Sequence, residues 1–181
     1  MKIYPSGRLA LLSVIAFSLS SCLITTFAVH PHRVPFNEAE FAAYRAPGSA
    51  IITGQLVIFP DHARYGDRSE IELLPVTPYT TEMVERELGN GERLFPANSA
   101  LRKYVRITTA DHLGNFAFTG LPAGEYYVFG QVEWNDQPLF DEYNQYQWGC
   151  ERIRVGAGQT VHVQVTHNPG HGFAILATGT I

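Results

Sequence analysis

The chain has 181 residues, 45% of them hydrophobic and 17% charged, so it can form one domain with a substantial core but not two large ones. Its 13 basic and 17 acidic residues give a formal net charge of −4. No run of basic residues provides the positive surface that nucleic-acid binding requires, and nucleic acid is therefore excluded as a predicted partner.

Residues 1–21 have the organisation of a signal peptide. A positively charged start with Lys2 and Arg8 precedes an apolar run over 9–19. A membrane-spanning helix needs about 20 residues, whereas this run has the length of a signal-peptide core. The run ends in Leu-Ser-Ser-Cys, which resembles the bacterial lipobox, a motif whose cysteine receives a diacylglycerol and usually an acyl chain such as palmitate. The resemblance implies that Cys22 becomes a lipidated first residue.

Lipidation at Cys22 has consequences for location and for the second cysteine. Two or three acyl chains would anchor the chain firmly in a membrane, where one chain is marginal. Leu23, rather than Asp, follows the cysteine, and resemblance to sorted Gram-negative lipoproteins then implies the outer membrane, facing the periplasm or the exterior. Cys150 is left without a cysteine partner in the chain. We interpret it as a small buried apolar residue, with a disulfide to another chain as the alternative.

Residues 22–49 are predicted to form a tether that contains one short helix. The segment VHPHRVP carries two prolines and no periodicity, which predicts extended backbone. In the following FNEAEFAAY, Asn37 can cap a helix, and Phe36 and Phe41 have the spacing of a hydrophobic staple. The spacing leaves open whether this helix docks through Phe41 and Tyr44 or lies free.

From residue 50 onward the hydrophobic period is two, which is typical of half-buried strands. Short alternating segments are separated by turns rich in glycine and proline, and this pattern predicts an antiparallel β-sandwich over residues 50–168, followed by a tail at 169–181. The residues predicted to face inward are Ile52, Leu56, Ile58, Ile71, Leu73, Phe116, Phe118, Tyr126, Val128, Val132, Trp134, Val161, Val163 and Val165.

Two segments interrupt the alternating pattern. Within residues 78–104, the sequence predicts a short helix at 80–88 that ends at Gly89, followed by a loop. Residues 135–149 are predicted to form a polar, aromatic loop, and loops at the end of a rigid sandwich commonly carry recognition. The predicted binding residues of this loop are Tyr143, Tyr146 and Trp148.

The most strongly patterned stretch, residues 111–130, is predicted to be a structural corner of the sandwich. Asp111 can accept backbone hydrogen bonds in a turn, and Gly114 and Gly124 are predicted to supply backbone dihedrals that other residues find strained. The stretch resembles the pattern Asp-x-x-Gly-x-Phe-x-Phe-x-x-Leu-Pro-x-Gly-x-Tyr of the carboxypeptidase regulatory-like domain. The residues that carry the resemblance are Asp111, Gly114, Phe116, Phe118, Leu121, Pro122, Gly124 and Tyr126. It implies a seven-stranded sandwich of the prealbumin type, in which this motif has no catalytic role.

The sequence lacks the signatures of the enzymes that share such a sandwich. Transthyretin-related hydrolases end in Tyr-Arg-Gly-Ser, whereas this chain ends in FAILATGTI. Intradiol dioxygenases bind iron through two tyrosines and two histidines of an Arg-Pro-x-His-x-His strand, which is also missing. A metal could be shared by His30 and His32, or by His167 and His171, but neither pair has carboxylate or cysteine neighbours at ligand spacing.

These observations predict a non-catalytic, lipid-anchored interaction module that needs no metal or other cofactor and binds a protein or a glycan. A metal-dependent enzyme or metal carrier built on the histidines is the first alternative. A structural subunit of a larger envelope assembly is the second.

Overall fold

The computed structural model describes residues 29–136 and 145–166. The predicted signal peptide, Cys22, Tyr143 and the tail at 169–181 lie outside the described residues.

Strands are the most abundant secondary structure in the described residues, as the alternating pattern predicts. In chain order the strands are β1 (Val29–His30), β2 (Ala50–Ile58), β3 (Arg64–Tyr65), β4 (Glu70–Pro75), β5 (Arg93–Leu94), β6 (Arg106–Thr109), β7 (Asn115–Leu121), β8 (Gly124–Trp134), β9 (Gln145–Val155) and β10 (Thr160–Val165). The helical elements are α1 (Pro78–Met83), the π-helical turn Val84–Gly89 that continues it, and two 3-10 helices, Glu38–Tyr44 and Ser99–Lys103.

The strands form two four-stranded sheets within the described part of the chain, and the short β1 and β5 pair separately. In the first sheet, β2 pairs with β10 on one side and with β7 and β3 on the other. In the second sheet, the order is β6-β4-β8-β9 and every pair is antiparallel. The prediction of a mostly β sandwich is therefore confirmed.

Within the two four-stranded sheets, one pair departs from the predicted antiparallel arrangement, because β10 runs parallel to β2. The reason is the connection before β10. Strand β9 belongs to the second sheet and β10 to the first, so the turn that Gly156 and Gln159 close with a 3.1 Å backbone hydrogen bond leads from one sheet to the other. A connection between sheets does not impose the antiparallel pairing that a hairpin imposes.

The main core lies between the two sheets. Ile52, Leu56 and Ile58 of β2 are fully buried there, opposite Ile71 and Leu73 of β4. The same cluster contains most of the other residues predicted to face inward, including Phe116, Phe118, Tyr126, Val128, Val132 and Val165. Trp134, Val161 and Val163 pack at its margin and are partly buried. The period-two pattern therefore identifies the inner face of the strands that carry these residues.

A second apolar cluster covers the outer face of the second sheet. Tyr127 and Phe129 of β8 alternate with the inward-facing Tyr126 and Val128 and so lie on the other face of the sheet. The structure buries them there, beneath the 78–104 insertion. Phe41 of the first 3-10 helix is also fully buried in this cluster. The predicted helix at 80–88 is present within Pro78–Gly89, and Thr77 and Thr80 cap its start reciprocally.

The segment predicted as a tether is packed from residue 29 onward. Strand β1 pairs in parallel with β5, and the predicted staple is present, with the rings of Phe36 and Phe41 stacked at 5.1 Å. Asn37 caps the 3-10 helix by accepting the Ala39 amide at 3.1 Å. The question left open by the spacing is answered, because this helix is docked.

The patterned stretch 111–130 is a structural corner, with one correction. The Asp111 carboxylate accepts the amides of Leu113 and Asn115, both at 2.8 Å, and Gly114 has a positive φ of 77°. The prediction of an unusual dihedral at Gly124 is wrong, because its φ is not positive. Glycine is required there by space, since an added Cβ would lie 2.6 Å from Cε1 of Tyr44.

Candidate functional site

An open groove of about 690 Å³ lies beside the helical insertion, on the outer side of the second sheet. Its walls come from three parts of the chain that are distant in sequence: the segment around Arg33, the helix with Thr81 and Glu85, and the paired strands β8 and β9 with Glu125 and Arg152. Its volume lies within the range of about 300–1,000 Å³ that is typical of ligand pockets.

The base of the groove is held by the carboxylate of Glu82, whose side chain is only 8% exposed. It accepts the backbone amides of Arg33 at 2.7 Å and Val34 at 2.8 Å, and the guanidinium of Arg86 at 2.8 Å. Burial on its own would raise the pKa of Glu82, but these three donors outweigh that effect and lower it to about 2. Glu82 therefore stays ionised and fixes the N-terminal segment to the helix.

Arg86 completes this clasp and has little capacity left for a ligand. Its guanidinium donates to Glu92 at 2.6 and 2.8 Å, and to the carbonyl of Pro31 at 2.9 Å. The i, i+4 spacing of Glu82 and Arg86 places both on one side of the helix. These two residues shape the groove rather than offering it free hydrogen-bonding groups.

The opposite wall is formed by a carboxylate that two arginines share across neighbouring strands. Glu125 on β8 pairs with both Arg152 and Arg154 on β9. Hydrogen bonds from Arg152 and Arg154 lower the pKa of Glu125. The Arg152 side chain is 54% exposed and that of Glu125 22% exposed, so this wall presents a cation and a carboxylate together.

The charges that line the groove are mixed and largely paired. Three arginines, Arg33, Arg86 and Arg152, face four carboxylates, which are Glu82, Glu85, Glu92 and Glu125. Such a surface offers donors and acceptors at fixed positions without a strong field of one sign. A hydroxyl group donates and accepts at the same time, so neutral polyhydroxylated ligands suit this wall chemistry.

The predicted binding residues Tyr146 and Trp148 lie in strand β9, whereas the sequence predicts a loop that extends to 149. They lie on the same face of the strand as Arg152, because alternate residues of a strand share a face. The Trp148 ring lies 6.3 Å from that of Phe129, at the edge of the second apolar cluster, and both Tyr146 and Trp148 are half-buried. Trp148 and Arg152 are four residue steps apart along the strand, which is roughly 13 Å.

Neither the groove nor its arginines were predicted from the sequence. Arg33 lies in a segment predicted as an extended tether. Arg152 lies in a strand whose alternating pattern identifies only the apolar residues. The one available signal was the Glu82–Arg86 spacing within the predicted helix. It identifies a helical ion pair but does not identify the partner segment.

The histidines do not assemble a metal site in the described residues. No group of three or more metal-ligating side chains occurs within 29–136 and 145–166. His32 instead stacks on Tyr79 with ring centroids 4.7 Å apart, and its Nδ1 lies 3.7 Å from Glu82. His167 and His171 lie outside the described residues.

Cys150 packs half-buried beside the second cluster, and burial raises the pKa of its thiol to about 12, which fits the interpretation of a small apolar side chain. Within the part of the chain that the structure describes, none of the helices has the length and apolar character that crossing a membrane requires.

Comparison with known proteins gives a likeness of fold. No family model and no curated protein matches the chain. Among solved structures, the chain is similar to a candidate carbohydrate-binding protein from Pseudomonas aeruginosa, with a TM-score of 0.63 and 24% sequence identity. The similarity covers 74% of this chain and 99% of the other. At this identity the likeness shows the shared fold alone.

Proposed function

We propose that the protein is a non-catalytic, lipid-anchored module of the cell envelope that binds a glycan in the groove beside the helical insertion. The observation that carries the proposal is the wall chemistry of that groove, in which exposed arginines lie beside fixed carboxylates. Hydroxyl groups of a saccharide could accept from Arg33 or Arg152 and donate to Glu85 or Glu125. Arg152 and Glu125 hold each other in place through their ion pair and are therefore pre-organised for such contacts.

The support for a glycan ligand has two independent parts. The groove has balanced charge, which suits a neutral polar ligand better than a nucleic acid or a strongly charged peptide. The Pseudomonas aeruginosa protein with the same fold is described as a candidate carbohydrate-binding protein, and this chain shares the scaffold on which such a site would lie. We infer the ligand class from these two features together.

The aromatic side chains on β9 extend the proposed site. Saccharide rings have apolar faces that stack on aromatic rings, and Tyr and Trp combine a large apolar surface with a polar tip. Tyr146 and Trp148 lie along the same strand face as Arg152. Tyr143, the third predicted binding residue, lies outside the described residues. An extended glycan that fills the groove could continue toward these rings.

Anchoring at the membrane is the second part of the proposal. It is supported by the charged start, the short apolar run and the lipobox-like sequence that ends at Cys22. Mass spectrometry of the mature amino terminus tests it directly. We expect a chain that begins with a lipid-modified Cys22, and a Cys22→Ala variant should keep its signal sequence and lose the lipid. A mature chain that begins elsewhere without lipid would contradict the anchor and leave the groove proposal standing.

The groove is tested by presenting the purified full chain, in detergent, to an array of neutral and acidic glycans. We expect binding that Arg152→Gln or Arg33→Gln weakens about tenfold or more, because a hydrogen bond from a charged group is worth about 1.5–3 kcal/mol. Arg154→Gln is the matched control. It removes the same charge and also an arginine that pairs with Glu125, but Arg154 does not line the groove.

Two results would overturn the groove proposal. One is the absence of any glycan that binds above the background of an unrelated detergent-solubilised lipoprotein. The other is glycan binding that responds equally to Arg152→Gln and Arg154→Gln, because the response would then reflect net charge instead of the groove. Thermal unfolding of each variant verifies that lost binding is not lost folding.

A further inference from the structure

A second and chemically different pocket, of about 450 Å³, lies where the first 3-10 helix meets β6. Its lining consists of three basic side chains, Arg45, Lys103 and Arg106, together with Tyr44 and Tyr104. The three cations come from the end of one 3-10 helix, the end of the other and the start of β6. Packing of the N-terminal segment onto the sandwich is what brings them together.

One carboxylate, Glu38, partly balances these charges. A single oxygen, Oε1, pairs with Arg45, lies 3.4 Å from Nζ of Lys103 and accepts the hydroxyl of Tyr104 at 3.1 Å. The Tyr104 hydroxyl in turn accepts two N–H groups of Arg45, at 2.8 and 3.0 Å. These bonds hold Arg45 in a fixed orientation. They leave three cations beside one carboxylate.

Arg106 is the least compensated of the three cations. Its side chain is half-buried, and its hydrogen bond to the carbonyl of Thr119 is long, at 3.5 Å. In residues 29–136 and 145–166, no carboxylate lies within ion-pair distance of it. A partly desolvated guanidinium loses hydration that an anion can replace. The remaining N–H groups of Arg106 form a planar fork, which matches the two oxygens of an oxyanion.

We propose that this pocket binds an oxyanion, with the carboxylate of an acidic saccharide as the ligand group. Arg106 would make the bidentate contact, and Lys103 and Arg45 would supply the surrounding positive charge. Oxyanion binding by these residues stands independently of the groove. That the oxyanion is carried by a saccharide rests on the proposed function. The pocket would then select acidic glycans over neutral glycans of the same size.

The test is isothermal titration calorimetry of the purified full chain with three probes: digalacturonate, the matching neutral digalactose, and inorganic phosphate. We expect digalacturonate to bind more tightly than digalactose, and its affinity to fall as salt is raised to about 0.3 M, because screening weakens contacts between exposed charges. Arg106→Gln and Lys103→Gln should each reduce the digalacturonate affinity tenfold or more. Arg106→Lys, which keeps the charge but loses the fork, should lie between Arg106→Gln and the unaltered chain.

Arg102→Gln is the matched control, because Arg102 is exposed, precedes Lys103 and does not line the pocket. Equal losses in Arg102→Gln and Arg106→Gln would overturn the proposal in favour of diffuse charge attraction. Binding of phosphate but not of digalacturonate, lost in Arg106→Gln, would keep the oxyanion site and overturn its saccharide ligand. If digalacturonate and digalactose bind with equal affinity and Arg106→Gln changes neither affinity, the proposal of an oxyanion pocket is overturned.

The groove proposal and the pocket proposal can be contradicted independently, because Arg152→Gln should leave oxyanion binding at the Arg106 pocket unchanged. Lys103 is 64% exposed, so Lys103→Gln keeps the proposal testable should Arg106→Gln fail to fold.

Discussion

The ring of Tyr44 occupies the space above Gly124, so closely that a Cβ added to the glycine would lie 2.6 Å from Cε1 of the ring. The Tyr44 hydroxyl donates to the carbonyl of Glu125 at 3.2 Å, and its ring lies edge-on to Tyr126 at 5.3 Å. Tyr44 thus attaches the N-terminal 3-10 helix to the start of β8. Gly124 is the residue that makes room for it.

Gly124→Val should destabilise the fold by on the order of 1–3 kcal/mol, because the larger side chain overpacks the contact with Tyr44. The steric cause can be separated from a backbone cause by a double-mutant cycle measured with urea unfolding. In a chain that already carries Tyr44→Ala, Gly124→Val should cost clearly less. Additive losses in the double variant would show that the backbone of Gly124, and not Tyr44, sets the cost.

Tyr126→Ala should cost roughly 3–5 kcal/mol, because Tyr126 is 3% exposed and its removal leaves a cavity between the sheets. Tyr126→Phe is the matched control. It keeps the ring and loses only the 2.8 Å hydrogen bond to the carbonyl of Pro122, so about 0.5–1.5 kcal/mol is expected. Urea midpoints of the two variants measure the difference. Similar midpoints for both would mean that the ring contributes little to the core.

The two faces of β8 show how far the sequence can predict this fold. Tyr126, Val128 and Val132 alternate with polar or outward residues, and their burial follows from period two alone. Tyr127 and Phe129 have the same apolar character on the other face, and their cover comes from the 78–104 insertion, far away in the chain. Local periodicity carries no information about which distant segment covers a second face.

The two candidate sites cannot be predicted from the sequence for the same reason. The groove needs Arg33 and Arg152 on one surface, and the oxyanion pocket needs Arg45 and Arg106 on another. Both depend on the docking of a segment whose prolines indicate extended backbone without indicating a partner. Single residues that meet only through tertiary packing leave no spacing signal. The predicted aromatic residues on β9 were recognisable because they are clustered in sequence.

Glu82 makes stability dependent on pH at the acid end. Its folded-state pKa of about 2 lies below the ordinary value of 4.5, so its contribution is complete above 4.5 and is lost as the pH falls toward 2. Urea unfolding of the full chain should therefore show a loss of stability in that window, and Glu82→Gln should flatten it while lowering stability at pH 7. Glu133→Gln, at an exposed position of β8, is the control and should leave the acid slope intact. An unchanged slope in Glu82→Gln would contradict the clasp.

Glu87 makes the stability of the fold depend on pH in the opposite direction. Burial raises its pKa to about 7, against the lowering effects of the Leu94 amide and Arg86, and its Oε2 is buried without a hydrogen-bond partner. The protonated form therefore favours the fold, and its contribution is complete below 4.5 and is lost as the pH rises through 7. Glu87→Gln should be more stable than the unaltered chain at pH 8 and similar to it at pH 4. Glu85→Gln, an exposed position on the same turn, should show no such crossover.

Trp148 and Tyr146 test whether the recognition surface extends beyond the groove. Trp148→Ala and Tyr146→Ala should each weaken glycan capture by the full chain, by up to about tenfold for an aromatic contact of about 0.5–1.5 kcal/mol. Trp148 also packs against Phe129, so thermal unfolding must accompany the binding measurement, and Trp148→Phe keeps a ring that can stack. Tyr65→Ala is the control, because Tyr65 is 44% exposed on the first sheet, away from both sites. The contrary outcome is that Trp148→Ala binds the glycan as tightly as the unaltered chain does while Arg152→Gln loses binding. In that outcome the glycan contacts the groove alone, and the aromatic face of β9 serves to cover the second apolar cluster.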